Sequence, residues 1–312
     1  MKDSFKDNCV RRIQIMTINA CNNNCIFCCS RHPDLRGRQN GRSINSRSLK
    51  IECKKRANIN SVMFTGGESM LHQNLPGLVK DARKMGYRNI TLQTNGRLLK
   101  YKDACIDLLK KGVNEVHVSL HGSNSKIHDA MARTPGAFKQ TCEGIDNIIS
   151  LKKSFPLKIY TSFTITKMNY KDIYNYLLLL SSWGGIDGAV LNTLMYVGNA
   201  AAFFKQIFVS YTDIAKEFQS SLKKLQKTQR GIFFPINITP MPVCLMKGFE
   251  KYAGIQETPL QIQNNKVEIL KRCSPTIKNK KCLPCAHKNV CSGIDAFYAK
   301  NIGWQEIIPW QI

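Results

Sequence analysis

Asn19-Ala20-Cys21-Asn22-Asn23-Asn24-Cys25-Ile26-Phe27-Cys28-Cys29 directly follows the strand-like stretch from Arg11 to Ile18. Three cysteines in a C-x3-C-x2-C run on one tight loop can hold three irons of a [4Fe–4S] cube. The fourth iron is then left without a protein ligand. A cluster used only for electron transfer is capped by the protein at all four irons. An open iron is a place for a small molecule, so the spacing points to chemistry at the cluster. Structural zinc is the competing reading, because zinc takes four protein ligands, commonly as paired C-x2-C or C/H units. Cys29 and His32 are the nearby candidates for a fourth ligand. Cys29 is badly placed to chelate the same ion as Cys28, whereas the spacing admits His32. Disulfides are disfavoured, since the 13 cysteines are odd in number and the first ten residues are not a secretory leader.

Further motifs lie downstream. Ser61-Val62-Met63-Phe64-Thr65-Gly66-Gly67-Glu68 is a β-rich run ending in a glycine pair and a carboxylate. Glycines without Cβ let the backbone approach a ligand closely, and Glu68 at a strand's carboxyl end suits an ammonium group. Ile90 to Gly96 ends in Thr94-Asn95-Gly96, and Val116 to Gly122 contains Ser119. Each has a bland explanation: glycine pairs and Asn-Gly mark turns, and Ser119 fits an exposed alternate strand position. The bland explanations do not say why all three recur at strand ends.

With these residues in place, the chain resembles the radical S-adenosylmethionine (SAM) superfamily. That family carries C-x3-C-x-aromatic-C after the first strand of a partial (β/α)6 barrel, and Phe27 stands at the aromatic position. The resemblance covers roughly residues 10 to 200. It implies that Cys21, Cys25 and Cys28 hold a catalytic [4Fe–4S] cluster. It also implies that Gly66, Gly67 and Glu68 cradle the SAM amino group, and that Thr94, Asn95 and Ser119 face its ribose and carboxylate. His128-Asp129, Arg133 and Gly136-Ala137-Phe138 fit the stretch that follows, with Arg133 among the cofactor-binding residues. The implied chemistry is reductive cleavage of SAM to a 5′-deoxyadenosyl radical, which abstracts hydrogen from a substrate. One departure is Ser69, where the family most often has proline; its effect is expected on loop stiffness alone.

Strand-like runs are expected near 11–18, 61–65, 89–94, 115–120, 157–165 and 187–193. Helical patterns fill 46–57, 75–86, 101–112, 138–153, 170–183 and 203–228. Alternation of the two argues for a parallel α/β sheet with ligand sites at the carboxyl ends of its strands. Periodicity fades near residue 236, so the expected division is a core at 1–235 and a cysteine-rich extension at 236–312. No apolar run reaches the roughly 20 residues of a spanning helix, and a cytoplasmic protein with reduced thiols is expected.

The extension contains Cys282, Cys285 and Cys291 in C-x2-C-x5-C spacing, with Cys244 and Cys273 upstream. It resembles the SPASM and twitch extensions that hold auxiliary [4Fe–4S] clusters behind many radical SAM cores. The full SPASM pattern has a cysteine where this chain has Asp295 and another further on, and this chain has none after Cys291. One auxiliary cluster is therefore expected, with Cys244 or Cys273 completing its ligands; a zinc ribbon is the alternative.

The 46 basic and 21 acidic residues give a net charge of +25. From Arg31 to Arg56 there are nine Lys/Arg against Asp34 and Glu52. A basic rim there would attract an anionic substrate, nucleic acid or an acidic peptide. Compositional richness in Lys, Asn and Ile explains the same numbers, and no aromatic residues interleave for base stacking. The expected function is thus a radical SAM enzyme, with a peptide or protein substrate by analogy with SPASM and twitch members. Flavodoxin or ferredoxin is the expected type of reductant, and no membrane is involved. A nucleic-acid-modifying radical SAM enzyme and a non-catalytic iron–sulfur or zinc-binding protein are the alternatives.

Overall fold

The computed structural model describes residues 12–31, 59–228, 233–254, 260–263, 266–269 and 275–310. The expected helix at 46–57, His32, Cys273 and the basic segment beyond Arg31 lie outside the described residues.

Six strands form where hydrophobic alternation places them: β1 Arg12–Met16, β2 Ser61–Thr65, β3 Asn89–Thr94, β4 Glu115–Ser119, β5 Lys158–Thr164 and β6 Gly188–Asn192. A seventh, β7 Ile236–Thr239, pairs parallel to β6. Proline on both sides, at 235 and 240, hides this four-residue strand from a pattern reading. The seven run parallel and in sequence order across one sheet. A hairpin of β8 Leu260–Gln263 and β9 Lys266–Ile269 is added at the free edge of β1, with β8 parallel to it. The sheet is open, with β7 and β9 at its edges.

Right-handed crossovers between sequential parallel strands put the connecting helices on one face. These are α1 Leu75–Lys84, α2 Lys102–Lys111, α3 Ser125–Ala132, α4 Ala137–Leu151 and α5 Ile173–Trp183. On that face the strands bury Ile13, Ile15, Phe64, Leu92, Val118, Ile159 and Phe163. On the other face the side chains are mostly polar and half-buried, among them Gln14, Gln93, His117, Ser119, Ser162 and Asn192. One side therefore drives folding through apolar burial, and the other is left for chemistry.

The region expected as one helix at 203–228 is instead a single turn, α7 Phe204–Ile207, and then α8 Tyr211–Gln226, with another single turn, α6 Asn199–Ala202, just before it. The break has a local cause. Ser210 is extended, and its hydroxyl accepts from the Asp213 N–H, an N-cap that restarts the helix. The extension packs onto this part of the core through α9 Ala296–Asn301. The Tyr298 ring lies tilted against Tyr196 and Tyr211, and Glu306 accepts from the N–H of Thr212 at 2.8 Å and from the Tyr298 hydroxyl. No helix among the described residues is long and apolar enough to cross a membrane.

Candidate functional site

The cysteine loop leaves the carboxyl end of β1 and is fastened from four sides. Its entrance continues the β1–β2 ladder: Thr17 N–H donates to Thr65 C=O, Gly67 N–H to Ile18 C=O and Glu68 N–H to Ala20 C=O. The contact is so close that a Cβ on Gly67 would lie 2.2 Å from the Ala20 carbonyl oxygen. Gly66 adopts φ 137°, and a Cβ there would lie 2.5 Å from the Ile18 oxygen. The glycine pair is thus dictated by the approach of the cysteine loop itself.

At the loop's middle, the N–H groups of Asn24 and Ile26 donate to the C=O groups of Ala132 and Met131 at the end of α3. Arg97 donates to Asn23 Oδ1 at 2.9 Å and to the Asn22 carbonyl. On the far side, the Asn199 N–H donates to the Cys28 carbonyl and its side-chain amide to the Cys25 carbonyl, both at 2.9 Å. Gly198 at φ 58° lets this clamp sit against the backbone of Cys28 and Cys29. Arg97, Gly198 and Asn199 escaped the sequence reading because each is one polar or glycine residue after a strand, a common loop composition.

The three thiols gather within this frame. The Cys21 sulfur accepts from the Asn23 N–H at 3.4 Å and faces the Asn95 amide at 3.9 Å. Burial raises the pKa of all three thiols, with Cys28 pushed up to about 11. Mutual repulsion adds to this: Cys25 is raised further by Cys28 and Cys21, and Cys28 by Cys29 and Cys21. Such a group stays protonated without metal and gives up its protons to one, because a bound cation reverses the local electrostatics. Among the described residues, no three His, Cys, Asp or Glu side chains converge tightly enough to hold a single metal ion.

Glu68 is 1% exposed and caps the short turn Ser69–Leu71. This cap holds the turn in which Ser69 stands for proline. Its carboxylate accepts from the Thr94 hydroxyl and the Asn95 N–H at 2.7 Å each, and from the Met70 N–H at 3.0 Å. These bonds tie the end of β3 to the glycine loop. Burial nevertheless raises its pKa, outweighing those three bonds and the Arg97 charge. A carboxylate in that position favours a proton or a cationic partner, and an ammonium group supplies the latter. Ser119 stands at the end of β4 opposite Ser162 of β5. Arg133 caps α3 in the left-handed conformation at φ 51°, with its guanidinium over the Phe203 ring.

His128-Asp129 and Gly136-Ala137-Phe138 form one unit, with the Asp129 carboxylate accepting from the N–H groups of Gly136 and Phe138 at 2.7 Å each. Phe27 packs edge-on against His121 at 4.6 Å, and His121 stacks on His128 at 5.9 Å. His128 Nδ1 accepts from the His121 N–H, so its proton lies on Nε2, which is buried with no hydrogen-bond partner among the described residues. Burial holds the pKa of both rings down, His128 to about 4.

The extension forms a second centre. Cys244, Cys282, Cys285 and Cys291 line one pocket of about 380 Å³, part of it open to solvent. Burial raises the Cys244 thiol to about 12, followed by repulsion from Cys291, Cys285 and Cys282. Of the two upstream cysteines, Cys244 is the one the described residues bring to the other three. The Trp310 indole donates to its carbonyl at 3.2 Å, and Trp310 packs edge-on against His287 at 4.7 Å.

Residues 15–180 match the radical SAM superfamily. The chain belongs to that superfamily. Its radical SAM membership makes it an enzyme that uses a [4Fe–4S] cluster and SAM. It is 27% identical over 216 residues to a probable GTP 3′,8-cyclase of Saccharolobus islandicus, covering 68% of this chain and 65% of that protein. A probable GTP 3′,8-cyclase of Sulfolobus acidocaldarius is 28% identical over 220 residues, covering 69% of this chain and 64% of that protein. The chain thus spans just under two thirds of the length of these relatives. The fold is similar to Streptococcus suis SuiB bound to S-adenosylmethionine, with TM-score 0.64 and 15% identity over 91% of this chain and 72% of that one. It is also similar to anSMEcpe with bound AdoMet, with TM-score 0.54 and 17% identity over 72% of this chain and 64% of that one.

Two outcomes follow for this radical SAM centre. Glu68→Ala should weaken SAM binding by about 1.5–3 kcal/mol, since a charged partner is lost, and equilibrium binding measures it; unchanged affinity moves the ammonium contact elsewhere. The second concerns pH. The unfolded chain protonates His128 near 6.5 and the folded protein only near 4. Stability should therefore be full above 6.5 and fall by about 1.4 kcal/mol for each pH unit below it, until about pH 4. His121 acts in the same direction. Thermal unfolding of the metal-free protein against pH checks this, and His128→Gln should flatten the slope.

Proposed function

We propose that this radical SAM enzyme acts on a peptide or protein. In this reading Cys21, Cys25 and Cys28 hold the catalytic [4Fe–4S] cluster, and Cys244, Cys282, Cys285 and Cys291 hold an auxiliary one. When bound, the catalytic cluster and SAM supply a 5′-deoxyadenosyl radical that takes a hydrogen atom from the substrate. Glu68 receives the SAM ammonium, the backbone of Gly66 and Gly67 lets the cofactor lie close, and Thr94, Asn95, Ser119 and Arg133 hold its remaining polar groups. Arg97 and Asn199 keep the cysteine loop in register with them. The extension at 236–312 is assigned to the auxiliary cluster and substrate.

The observation that carries the substrate class is the open face of the sheet. At the carboxyl ends of β3 to β7 it presents Gln93, Ser119, Ser162, Asn192 and Thr239, with Asn192 donating to Ser162 at 2.8 Å. Among the described residues, that half of the face carries no Lys or Arg. Arg12, at the opposite end, is paired with Glu115 at 3.2 Å. Amides and hydroxyls match peptide groups, whereas a nucleoside triphosphate calls for Arg or Lys clamps. SuiB in complex with precursor peptide SuiA and anSMEcpe in complex with a peptide share the fold. A nucleotide substrate is the second reading, favoured by the similarity to probable GTP 3′,8-cyclases.

Anaerobically reconstituted protein should hold about eight irons, and replacing Cys21, Cys25 and Cys28 with alanine should remove about half. Zinc bound in place of iron and sulfide at the second site would reject the auxiliary cluster. Short peptides encoded beside the gene should raise 5′-deoxyadenosine formation above the uncoupled rate, and GTP should not. Stimulation by GTP with release of a cyclised nucleotide would overturn the peptide reading.

A further inference from the structure

His121 stands two residues beyond the carboxyl end of β4, and its ring packs edge-on against Phe27, which lies between Cys25 and Cys28. Three of its four hydrogen-bonding groups have partners in the chain. The backbone N–H donates to His128 Nδ1 at 3.0 Å, and the carbonyl accepts from the Asn169 amide at 3.0 Å. On the ring, Nδ1 accepts from the Thr164 N–H at 3.1 Å. A neutral imidazole that accepts at Nδ1 carries its proton on Nε2. This Nε2–H has no hydrogen-bond partner among the described residues. Nor is it sealed: the enclosed polar atoms without a partner include Nε2 of His128 and not Nε2 of His121. The residue as a whole is 4% exposed. Buried donors are nearly always paired, so a fixed donor left open beside the cysteine loop is a place for an acceptor.

Its position selects the part of SAM that supplies the acceptor. Glu68, after β2, takes the ammonium group in the proposed reading and holds Asn95, which faces the Cys21 sulfur. His121 lies two strands further across the sheet, after β4, against the other end of the same loop. The amino-acid half of SAM is thus accounted for at one end, and the nucleoside half is left for the other. That half offers neutral acceptors, the ring nitrogens of adenine and the oxygens of ribose, which suit a neutral N–H donor. Burial, followed by repulsion from His128, holds the His121 pKa well below its ordinary value. The ring therefore places no positive charge beside the sulfonium.

We propose that His121 is a further SAM-binding residue, its Nε2–H donating to an acceptor on the nucleoside half of the cofactor. Thr164 and His128 are then positioning groups, the first fixing the tautomer and the second the backbone. The proposal rests on the reading of Glu68 as the ammonium site.

The two ring nitrogens can be separated by substitution. His121→Asn keeps an acceptor where Nδ1 stands and has no donor at the Nε2 position. His121→Gln keeps that donor and loses the near acceptor. Anaerobically reconstituted proteins are titrated calorimetrically with SAM, with 5′-deoxyadenosine and with methionine. His121→Asn should weaken SAM and 5′-deoxyadenosine by roughly three- to tenfold, the loss of one hydrogen bond, and leave methionine unchanged. His121→Gln should bind all three close to the wild-type level. Because His121→Asn retains the Thr164 tie, its thermal unfolding should match wild type, so that this variant alone decides the question if His121→Gln does not fold. Full nucleoside affinity in His121→Asn makes the residue a tie between β4 and β5 and overturns the proposal. Weakened methionine binding in that variant also overturns it, by moving the contact to the amino-acid half. Glu68→Ala should give the opposite pattern, losing methionine and sparing 5′-deoxyadenosine; its failure to do so rejects the placement of SAM on which the proposal rests.

Discussion

The contact on which the site depends is between two backbones. Beyond β1 and β2 the ladder continues through Gly67 and Glu68 into Ile18 and Ala20, where no side chain fits. This contact fixes Glu68 at the start of its turn, and the Glu68 carboxylate then holds Thr94 and Asn95. Asn95 in turn donates to Asn22 at 2.6 Å and faces the Cys21 sulfur. The path from strand pairing to the Cys21 sulfur is a closed circuit of hydrogen bonds. Its parts are far apart in sequence, so a fault in any one is transmitted to the rest.

The circuit explains how a loop without regular structure can hold three buried thiols. Loops carry function because rigid elements position them. Here those elements are β1 and β2 at the entrance, α3 in the middle, the residues after β3 on one side and the residues after β6 on the other. Arg31 donates to Asn24 at 2.9 Å and Arg97 to Asn23, so cations crosslink the loop through its asparagines. The run Asn22-Asn23-Asn24 between two cysteines is therefore a set of attachment points. The Arg31 charge also lowers the cost of gathering thiolates, acting in that direction on Cys21, Cys25 and Cys28.

Much of this was legible in the residues. Six strands, the parallel order and the placement of every motif at a strand's carboxyl end follow from alternation and spacing, because one face is strongly apolar. β7 was not legible, since four residues between prolines carry too little pattern, and neither was β8, whose pairing with β1 is a tertiary event. The glycine pair was read as a ligand cradle, yet its closest constraint is the chain's own carbonyls at Ile18 and Ala20. The same holds for Glu68, read as a ligand group and also found to be a tie between β2 and β3. Sequence shows which residues are special; it does not separate those that meet the ligand from those that hold the first group in place. Asn199, 174 residues from the Cys25 carbonyl it bonds, is legible only in three dimensions.

The two cysteine sites differ in a way that bears on their roles. Cys21, Cys25 and Cys28 come from one loop that the core holds without help from the extension. The second set draws Cys244 from just after β7 and the others from 282–291, so closing it joins two separated segments. Burial, with repulsion from Cys291, Cys285 and Cys282 added to it, raises the Cys244 pKa, so four thiolates lining one pocket carry a net cost unless a metal centre compensates. Binding free energy there is folding free energy. In the proposed assignment, four cysteine ligands leave no iron open on a cube, which suits structure or electron transfer, and three leave the position that a small molecule would take. The tail is anchored independently by Glu306, which accepts from the first N–H groups of α8, where a helix favours negative charge. The second site therefore follows the carboxyl end of β7 as the first follows that of β1 in the same parallel sheet.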